Sequence, residues 1–264
     1  MSNADELLKS GDIAGARSAL MDQVRSDPSN QTVRMFLFQI FALLGEWTRA
    51  KAQLETMAKL DPATRMLAVA YSQCIDAEIT RGEVFAGTNE VSLLTNVSWG
   101  ADLATGIRLR QSGAKGSDEL LSKAFDAAPT SAGTTDDGMA FDWVADADPR
   151  FGPTIEVIIS GKYGLMPYDS LESLTIIEPR DLRDTIWVQA EFVLKQGGKI
   201  AGFIPVRYPD SEKHEDSAII RGVATHWAEK DGQEYGLGQR LIIFSNGNEA
   251  PLLHVKKLNF EDAE

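Results

Sequence analysis

The chain has 264 residues, of which 43% are hydrophobic and 25% are charged, a balance typical of folded globular proteins with one large domain or two ordinary ones. Its 39 acidic residues outnumber its 26 basic residues, and the net charge of −13 divides into −3 for residues 1–128 and −10 for residues 129–264. This acidity disfavours nucleic acid and anionic membrane surfaces as partners, because both would be repelled.

The sequence also favours a cytoplasmic location. It contains no run of about 18 apolar residues that could form an ordinary transmembrane helix. Residues 1–6 are acidic and lack the basic and apolar regions of a signal peptide. The single cysteine, Cys74, cannot form an internal disulfide and lies in an apolar helical stretch, so we expect a buried, unreactive thiol.

A 34-residue repeat lies near the N-terminus. Four features recur at this interval, and the pairs are Gly11-Asp12 with Gly45-Glu46, Ala16 with Ala50, Leu20 with Leu54, and Asp27-Pro28 with Asp61-Pro62. A period of about 34 residues is typical of tetratricopeptide helix pairs, which bury their apolar faces by stacking on neighbouring pairs. Such units usually form protein-binding surfaces, so the repeat predicts a protein that binds another protein.

Residues 2–128 are predicted to be helical throughout. Apolar side chains recur at intervals of three and four residues, and Gly11, Asp27 and Gly45 divide this pattern into separate helices. The third helix, at about residues 30–44, carries a stripe formed by Val33, Phe36, Leu37, Ile40, Phe41 and Leu44. Further helices are predicted at about residues 46–60, 62–85, 91–111 and 117–128.

Beyond residue 128 the pattern changes to that of strands. Residues 129–137 are polar and are predicted to be a linker or exposed loop between a helical domain, 1–128, and a strand-rich domain, 138–264. Strands are predicted at residues 155–159, 174–177, 186–194, 199–204, 218–221, 224–228, 240–244 and 252–258. Hairpin signals at residues 196–198 and 246–248 favour antiparallel pairing. We therefore predict an α+β protein, with tetratricopeptide-like helices followed by a mostly antiparallel curled sheet or small barrel.

The clustered carboxylates of the second half are the main candidates for metal binding. Asp142, Asp146 and Asp148 lie close together, but the segment lacks the alternating ligands, internal glycine and closing glutamate of a calcium loop. Aspartates that cap helices and form turns explain it better. The three histidines have no paired zinc spacing. We predict no metal and no cofactor, and no nucleophile, base and oxyanion donor are assembled by the sequence.

Two segments place an arginine at a predicted strand end. Residues 203–209 end a strand with Arg207 beside Tyr208, and residues 236–240 lead into another strand with Arg240. Arginine and tyrosine are favoured at protein-recognition hot spots, because they bury large areas and form directed hydrogen bonds. Both segments are therefore candidates for protein binding. Pairing of these arginines with the domain's own carboxylates is the favoured alternative.

Several separated motifs together resemble one family. They are Gly45-Glu-Trp-x-x-Ala50-x-x-Gln-Leu54, Asp146-Ala-Asp-x-Arg150-x-Gly-Pro153-x-x-Glu156, Ile204-Pro-x-Arg-Tyr-Pro209 and Gly236-Leu-Gly-Gln-Arg240. The pattern is similar to that of the ImpE/TagJ family of type VI secretion accessory proteins, over nearly the whole chain. The resemblance implies a cytoplasmic, non-enzymatic accessory factor that is associated with the small subunit of the contractile sheath, and through it with a Clp-type ATPase. It offers no catalytic residues.

On this basis we expect an adaptor that binds an amphipathic helix of the sheath small subunit in an apolar groove. Phe38 and Trp47 are the candidate groove residues, and Phe38 is preferred because it falls outside the stripe of the third helix. Arg207, Tyr208 and Arg240 are the candidate contacts in the strand-rich half.

Two other classes of function stay open. The first is a hydrolase or metal-dependent enzyme with a site in residues 140–240, which requires Asp146, Asp148, Arg207 and Arg240 to meet in one pocket. The second is a structural oligomer in which unstacked helical ends pair between chains.

Overall fold

The computed structural model describes residues 3–230 and 232–262. The outer ends of the two predicted domains, residues 1–2 and 263–264, lie outside the described residues. Within the described part, helices occupy the first half and strands the second, so the predicted α+β class is confirmed.

Eight α-helices occur in the described residues: α1 Asn3–Lys9, α2 Ile13–Ser26, α3 Gln31–Leu43, α4 Trp47–Leu60, α5 Arg65–Phe85, α6 Gly100–Gln111, α7 Ser117–Ala127 and α8 Ser217–Ile220. The turn before α2 and the turn before α4 both need glycine, because Gly11 and Gly45 have positive φ angles of 89° and 67°. The 34-residue interval of the sequence is therefore also the interval between these two helix–helix turns.

Helix α3 is buried on almost every side, and this overturns one expectation. Phe38 is 0% exposed and lies in the core, so the premise that it falls outside the core stripe is wrong. Residues 37–43 are all buried, whichever side of the helix they lie on, because this part of α3 has no polar face to expose to water. Phe36, which belongs to the predicted stripe, is only partly buried.

Thirteen strands occur in the described residues: β1 Gly133–Thr135, β2 Ala140–Phe141, β3 Val144–Asp146, β4 Thr154–Ile159, β5 Lys162–Pro167, β6 Leu171–Ile176, β7 Trp187–Leu194, β8 Lys199–Pro205, β9 Thr225–Lys230, β10 Gln233–Gly238, β11 Leu241–Phe244, β12 Glu249–Pro251 and β13 Lys257–Phe260. Eight form one sheet in the order β2-β1-β13-β6-β7-β8-β4-β5, with β2 and β5 at its edges. Smaller sheets have the orders β12-β11-β3 and β10-β9. Every pairing between these strands is antiparallel, as predicted.

Several predicted boundaries are wrong. The predicted linker contains β1, which pairs with β13 and so belongs to the large sheet. Residues 218–220 of the strand predicted at 218–221 fall in α8, because Asp216 caps a short helical turn by accepting a hydrogen bond from the Ala218 N–H. The predicted helix at 91–111 begins only at Gly100, since residues 92–94 instead hydrogen-bond to the edge strand β5.

The helices and the large sheet share one hydrophobic core. Tyr71 of α5 lies between rings of both halves, with its centroid 5.7 Å from Phe38, 6.1 Å from Trp187 and 5.5 Å from Phe203. Along β7, Trp187 faces this core, whereas the next residue, Val188, faces a second core on the other side of the sheet. The sheet is therefore covered on one side by helices and on the other by strands and turns.

The contrast between Phe38 and Phe36 can be tested by mutation. Phe38→Ala should lower the free energy of unfolding by about 3–5 kcal/mol, because it leaves a cavity in a packed core. Phe36→Ala should cost clearly less, since its ring is only partly buried. Urea denaturation of both variants measures the difference, and equal losses would contradict the placement of the two rings.

Candidate functional site

Three of the separated sequence motifs meet in one buried cluster of charged side chains. The cluster contains three acids and three arginines, Asp146, Asp148, Glu156, Arg81, Arg150 and Arg240, and all of them are buried. The acids come from β3, from the turn that follows it and from β4. Arg240 directly precedes β11, which pairs with β3, and Arg81 comes from helix α5. The equal numbers of opposite charges explain how ionised groups are accommodated in the core.

Arg240 occupies the centre of this cluster. Its Nη1 donates to Asp146 and its Nη2 donates to Glu156, while the side chain is 0% exposed. The guanidinium carbon also lies 4.6 Å from the ring centroid of Phe151 and 4.8 Å from that of Tyr208. Two carboxylates and two aromatic faces thus replace the water around this cation.

Arg81 links the helical half to the strands. Its Nε and Nη2 donate to the two carboxylate oxygens of Glu156, each at 2.7 Å, and Nη2 also donates to the backbone oxygen of Arg207 at 2.7 Å. Tyr163 donates a further hydrogen bond of 2.6 Å to Glu156. The fork geometry of arginine suits such a bidentate contact, and it fixes α5 against β4 and against the segment that follows β8.

Asp148 and Arg150 attach the start of the Gly236–Arg240 motif to the cluster. Arg150 donates to both carboxylate oxygens of Asp148, and the Gly236 N–H donates to the same carboxylate at 2.7 Å. A side chain at position 236 would collide with the Tyr208 ring, which lies 2.3 Å from an ideal Cβ, so only glycine fits there. Asp146 and Asp148 also accept hydrogen bonds from the N–H two residues ahead. This confirms the turn-forming interpretation of the aspartates.

Arg207 and Tyr208, the other two candidate contacts in the strand-rich half, are buried as well. The Tyr208 hydroxyl donates to Asp146 at 2.8 Å. The Arg207 guanidinium points away from the acids and donates to the backbone oxygens of Leu43 at 2.8 Å and Ile220 at 2.6 Å. Of the four residues that the enzyme hypothesis needs in one pocket, three lie in the cluster and Arg207 bonds elsewhere. The four side chains are buried core groups rather than the lining of an open pocket.

Burial and pairing act in opposite directions on the acids. Burial opposes ionisation of Glu156, but Arg81 and Arg240 outweigh it and lower its pKa from 4.5 to about 2. Burial raises the pKa of Asp146 to about 6 against the influence of Arg240, and the neighbouring Asp148 adds to this increase. Asp146 is therefore the first of these two acids to take up a proton on acidification.

The surface offers clefts in other places. Trp47 is half-buried and lines a cleft of about 440 Å³ together with Ile79, Phe85 and Glu212. Phe36 lines a larger groove of about 630 Å³ between the first helices and Leu182. Of the residues proposed from sequence for partner binding, Trp47 alone keeps exposed area, because Phe38, Arg207, Tyr208 and Arg240 are all buried.

The described residues contain neither a metal-binding cluster nor a membrane-spanning helix. Within residues 3–230 and 232–262, no group of three or more histidine, cysteine, aspartate or glutamate side chains is arranged to bind a metal ion. Over the same residues, no helix has both the length and the apolar composition needed to cross a membrane.

Comparison with known proteins decides the family. The ImpE protein family matches residues 138–259. Over 263 residues the chain is 40% identical to the type VI secretion system accessory component TagJ of Pseudomonas aeruginosa, with 99% of this chain and 92% of that protein covered. The chain belongs to the ImpE/TagJ family. The resemblance predicted from the motifs is thereby confirmed.

A crystal structure of a Vibrio parahaemolyticus protein has the same fold as this ImpE/TagJ protein. The two superpose with a TM-score of 0.89 over 99% of this chain and 98% of the other, at 22% sequence identity. At this identity the similarity concerns the fold alone. It shows that the arrangement of helices and sheet recurs in a chain with a very different sequence.

The sequence does not identify Arg81 as a member of the cluster, nor Tyr163, which donates a hydrogen bond to Glu156. Arg81 interrupts the buried face of α5, and Glu156 interrupts the apolar run of β4 at a position whose neighbours are all buried. A charged residue at a core position requires a partner. That signal predicts the existence of a buried ion pair but not the identity of its partner 75 residues away.

Loss of one carboxylate should destabilise the fold strongly. Glu156→Gln leaves Arg81 and Arg240 buried with one negative charge too few, so we expect a loss of about 3–5 kcal/mol in the free energy of unfolding. Glu191→Gln is a matched control, because it removes the surface pair with Lys199 and should cost less than about 1 kcal/mol. Equal losses of unfolding free energy in the two variants, measured by denaturant titration, would show that the buried cluster contributes no more than a surface ion pair.

The effect of Glu156→Gln should also depend on pH. Because folding lowers the pKa of Glu156 from 4.5 to about 2, its contribution is complete above about pH 4.5 and disappears as the pH falls towards 2. The stability difference between wild type and Glu156→Gln should therefore shrink over that interval. A gap that stays constant from pH 6 to the acid limit would contradict the lowered pKa.

Proposed function

We propose that this ImpE/TagJ protein is a non-enzymatic, cytoplasmic accessory factor of a type VI secretion system, and that it binds an amphipathic helix of the sheath small subunit. The relative that is 40% identical is an accessory component of such a system, which supports the accessory role. Any relation to a Clp-type ATPase would be indirect, through the sheath subunit. In this proposal, α1 to α4 act as two tetratricopeptide-like pairs.

The observation that carries the proposal is the groove beside Phe36, which we call the helix groove. Its apolar floor is formed by Leu8, Leu20, Val33, Phe36, Met57 and Leu182. Glutamine and threonine side chains of α2 and α3 line its rim together with Asp5 and Asp181. An apolar floor with a polar rim is what a helix-binding groove requires, and methionine adapts to irregular side chains.

The dimensions of the groove fit one face of a helix. A helix is about 10–12 Å wide, so two of its turns would occupy more than the groove volume of about 630 Å³. The apolar side chains of one face would enter, and the rest of the helix would stay in contact with the rim.

The residues selected from sequence take different parts in this proposal. Phe38 is buried in the core behind the groove and would support the groove without touching the bound helix. Trp47 lines a separate cleft and serves as a second candidate contact. Arg207, Tyr208 and Arg240 would act indirectly, by holding the helices on the sheet.

Calorimetric titration with the sheath small subunit tests the proposal. We expect micromolar or tighter binding that is lost when the N-terminal segment of the subunit is removed. Phe36→Ala should weaken binding at least about tenfold, equivalent to about 1.4 kcal/mol. Val223→Ala is the control, because it trims an exposed side chain that does not line the groove.

Three results would contradict the proposal. They are no binding of the intact subunit, equal binding of the truncated subunit, and unchanged affinity of a Phe36→Ala variant whose circular dichroism matches wild type. If only the last result were found, the sheath small subunit would still be the partner, but it would bind outside the helix groove, at the cleft lined by Trp47.

A further inference from the structure

The exposed apolar side chains of this protein are unevenly distributed. Of the six large hydrophobic residues that are exposed in the described part of the chain, four lie at the end of α4 or along α5. They are Leu60 at 48%, Met66 at 86%, Val69 at 59% and Ile79 at 47% exposure. Concentration of exposed apolar area on one surface is typical of an interaction site.

The outer face of α5 is an unfinished end of the helical layer. Stacked helix pairs normally end in a helix with a polar outer face. After α5 the chain does not add such a helix over this face. Instead, residues 92–94 run along the sheet edge, where Leu94 N donates to Leu165 O at 2.9 Å and Leu165 N donates to Ser92 O at 2.8 Å.

The charges on this face point to its occupant. Arg65 lies at the first turn of α5 and Glu83 lies on the same outer face towards its end, and both are exposed, whereas Asp76 in the middle of the helix is paired with Lys51 of α4. A second α5 running in the opposite direction would bring Arg65 of each copy close to Glu83 of the other. The same register would bring Val69 of each copy close to Ile79 of the other. The face is therefore complementary to itself, as a two-fold contact requires.

We propose that α5 packs against α5 of a second copy of this chain, in an antiparallel two-fold contact centred midway between Val69 and Ile79. The helix groove lies on other residues, so this dimer does not depend on the proposed function and leaves that groove accessible. A dimer would present two helix grooves, and binding to neighbouring sheath subunits could then be bivalent.

The size of the face limits the strength of this contact. Helix α5 has 21 residues and is about 30 Å long by 10–12 Å wide, which is less than half of the roughly 800 Å² per partner in a standard stable interface. Flanking residues of α4, such as Leu60, add to it. We expect a dimer that forms and dissociates with concentration in the micromolar range.

Sedimentation velocity with the full chain provides the first test. The mass should rise from 28.8 kDa towards twice that value between about 1 μM and about 500 μM, as mass action requires. Val69→Glu should keep the protein monomeric throughout, whereas Val223→Glu should not. Val223 is a matched control, because it is a valine with 57% exposure away from α5.

A charge exchange tests the antiparallel register. Arg65→Glu and Glu83→Lys should each weaken the dimer about tenfold at low salt, because two-fold symmetry applies each change twice. The double variant should recover wild-type association. A monomer at every concentration would overturn the proposal, as would equal effects of Val69→Glu and Val223→Glu. A dimer whose charge-exchanged double variant shows no recovery would overturn the antiparallel α5 contact.

Discussion

The structure depends on the burial of Arg240. A guanidinium with no access to water is tolerated only if carboxylates and hydrogen-bond acceptors surround it. Here Asp146 and Glu156 supply the charge, and the rings of Phe151 and Tyr208 cover its faces. Together with Arg240 itself, these groups come from three separate parts of the chain, residues 146–156, Tyr208 and Arg240. Meeting the requirements of one cation therefore fixes how β4, β11 and the turns between the strands are arranged around each other.

The same cluster explains why the two halves of the chain form one body. Arg81 extends the ion network into α5 through Glu156, while Tyr71 packs against rings of β7 and β8 in the apolar core beside it. A buried pair of this kind adds little net stability compared with apolar packing, but it penalises any arrangement that leaves one charge unpaired. The family motifs that are richest in charge thus build the core, and the partner-binding surfaces must be sought among other residues.

The sequence predicts the class of fold well, because periodicity survives in long elements. The 34-residue interval and the hairpin glycines locate the turns of α1 to α4 and of the β7–β8 hairpin. Short elements are predicted less well. An apolar run such as Ala218–Ile220 fits a helix or a strand equally, and here the capping residue before it selects the helix. The linker was misplaced because β1 has only three residues and its strand identity comes from pairing with β13.

The site could be predicted only in part. Arg207, Tyr208 and Arg240 are buried, and the alternative that these arginines pair with the domain's own carboxylates holds for Arg240 but not for Arg207, which donates to backbone oxygens. The partner Arg81 lies in the other half of the chain, and no local pattern joins it to Glu156. Phe38 was misjudged because a helical wheel ranks faces within one helix, whereas residues 37–43 of α3 are all buried by neighbouring elements.

Native-state hydrogen exchange in increasing denaturant tests most directly whether the buried cluster joins the two halves into one cooperative unit. The slowest amides of α5, β4 and β11 should exchange with the same opening free energy and the same dependence on denaturant, because none of these elements can separate without leaving a buried charge unpaired. A lower opening free energy for α5 than for the two strands would contradict this account. It would show that the helices detach from the sheet while the Arg240 cluster stays closed.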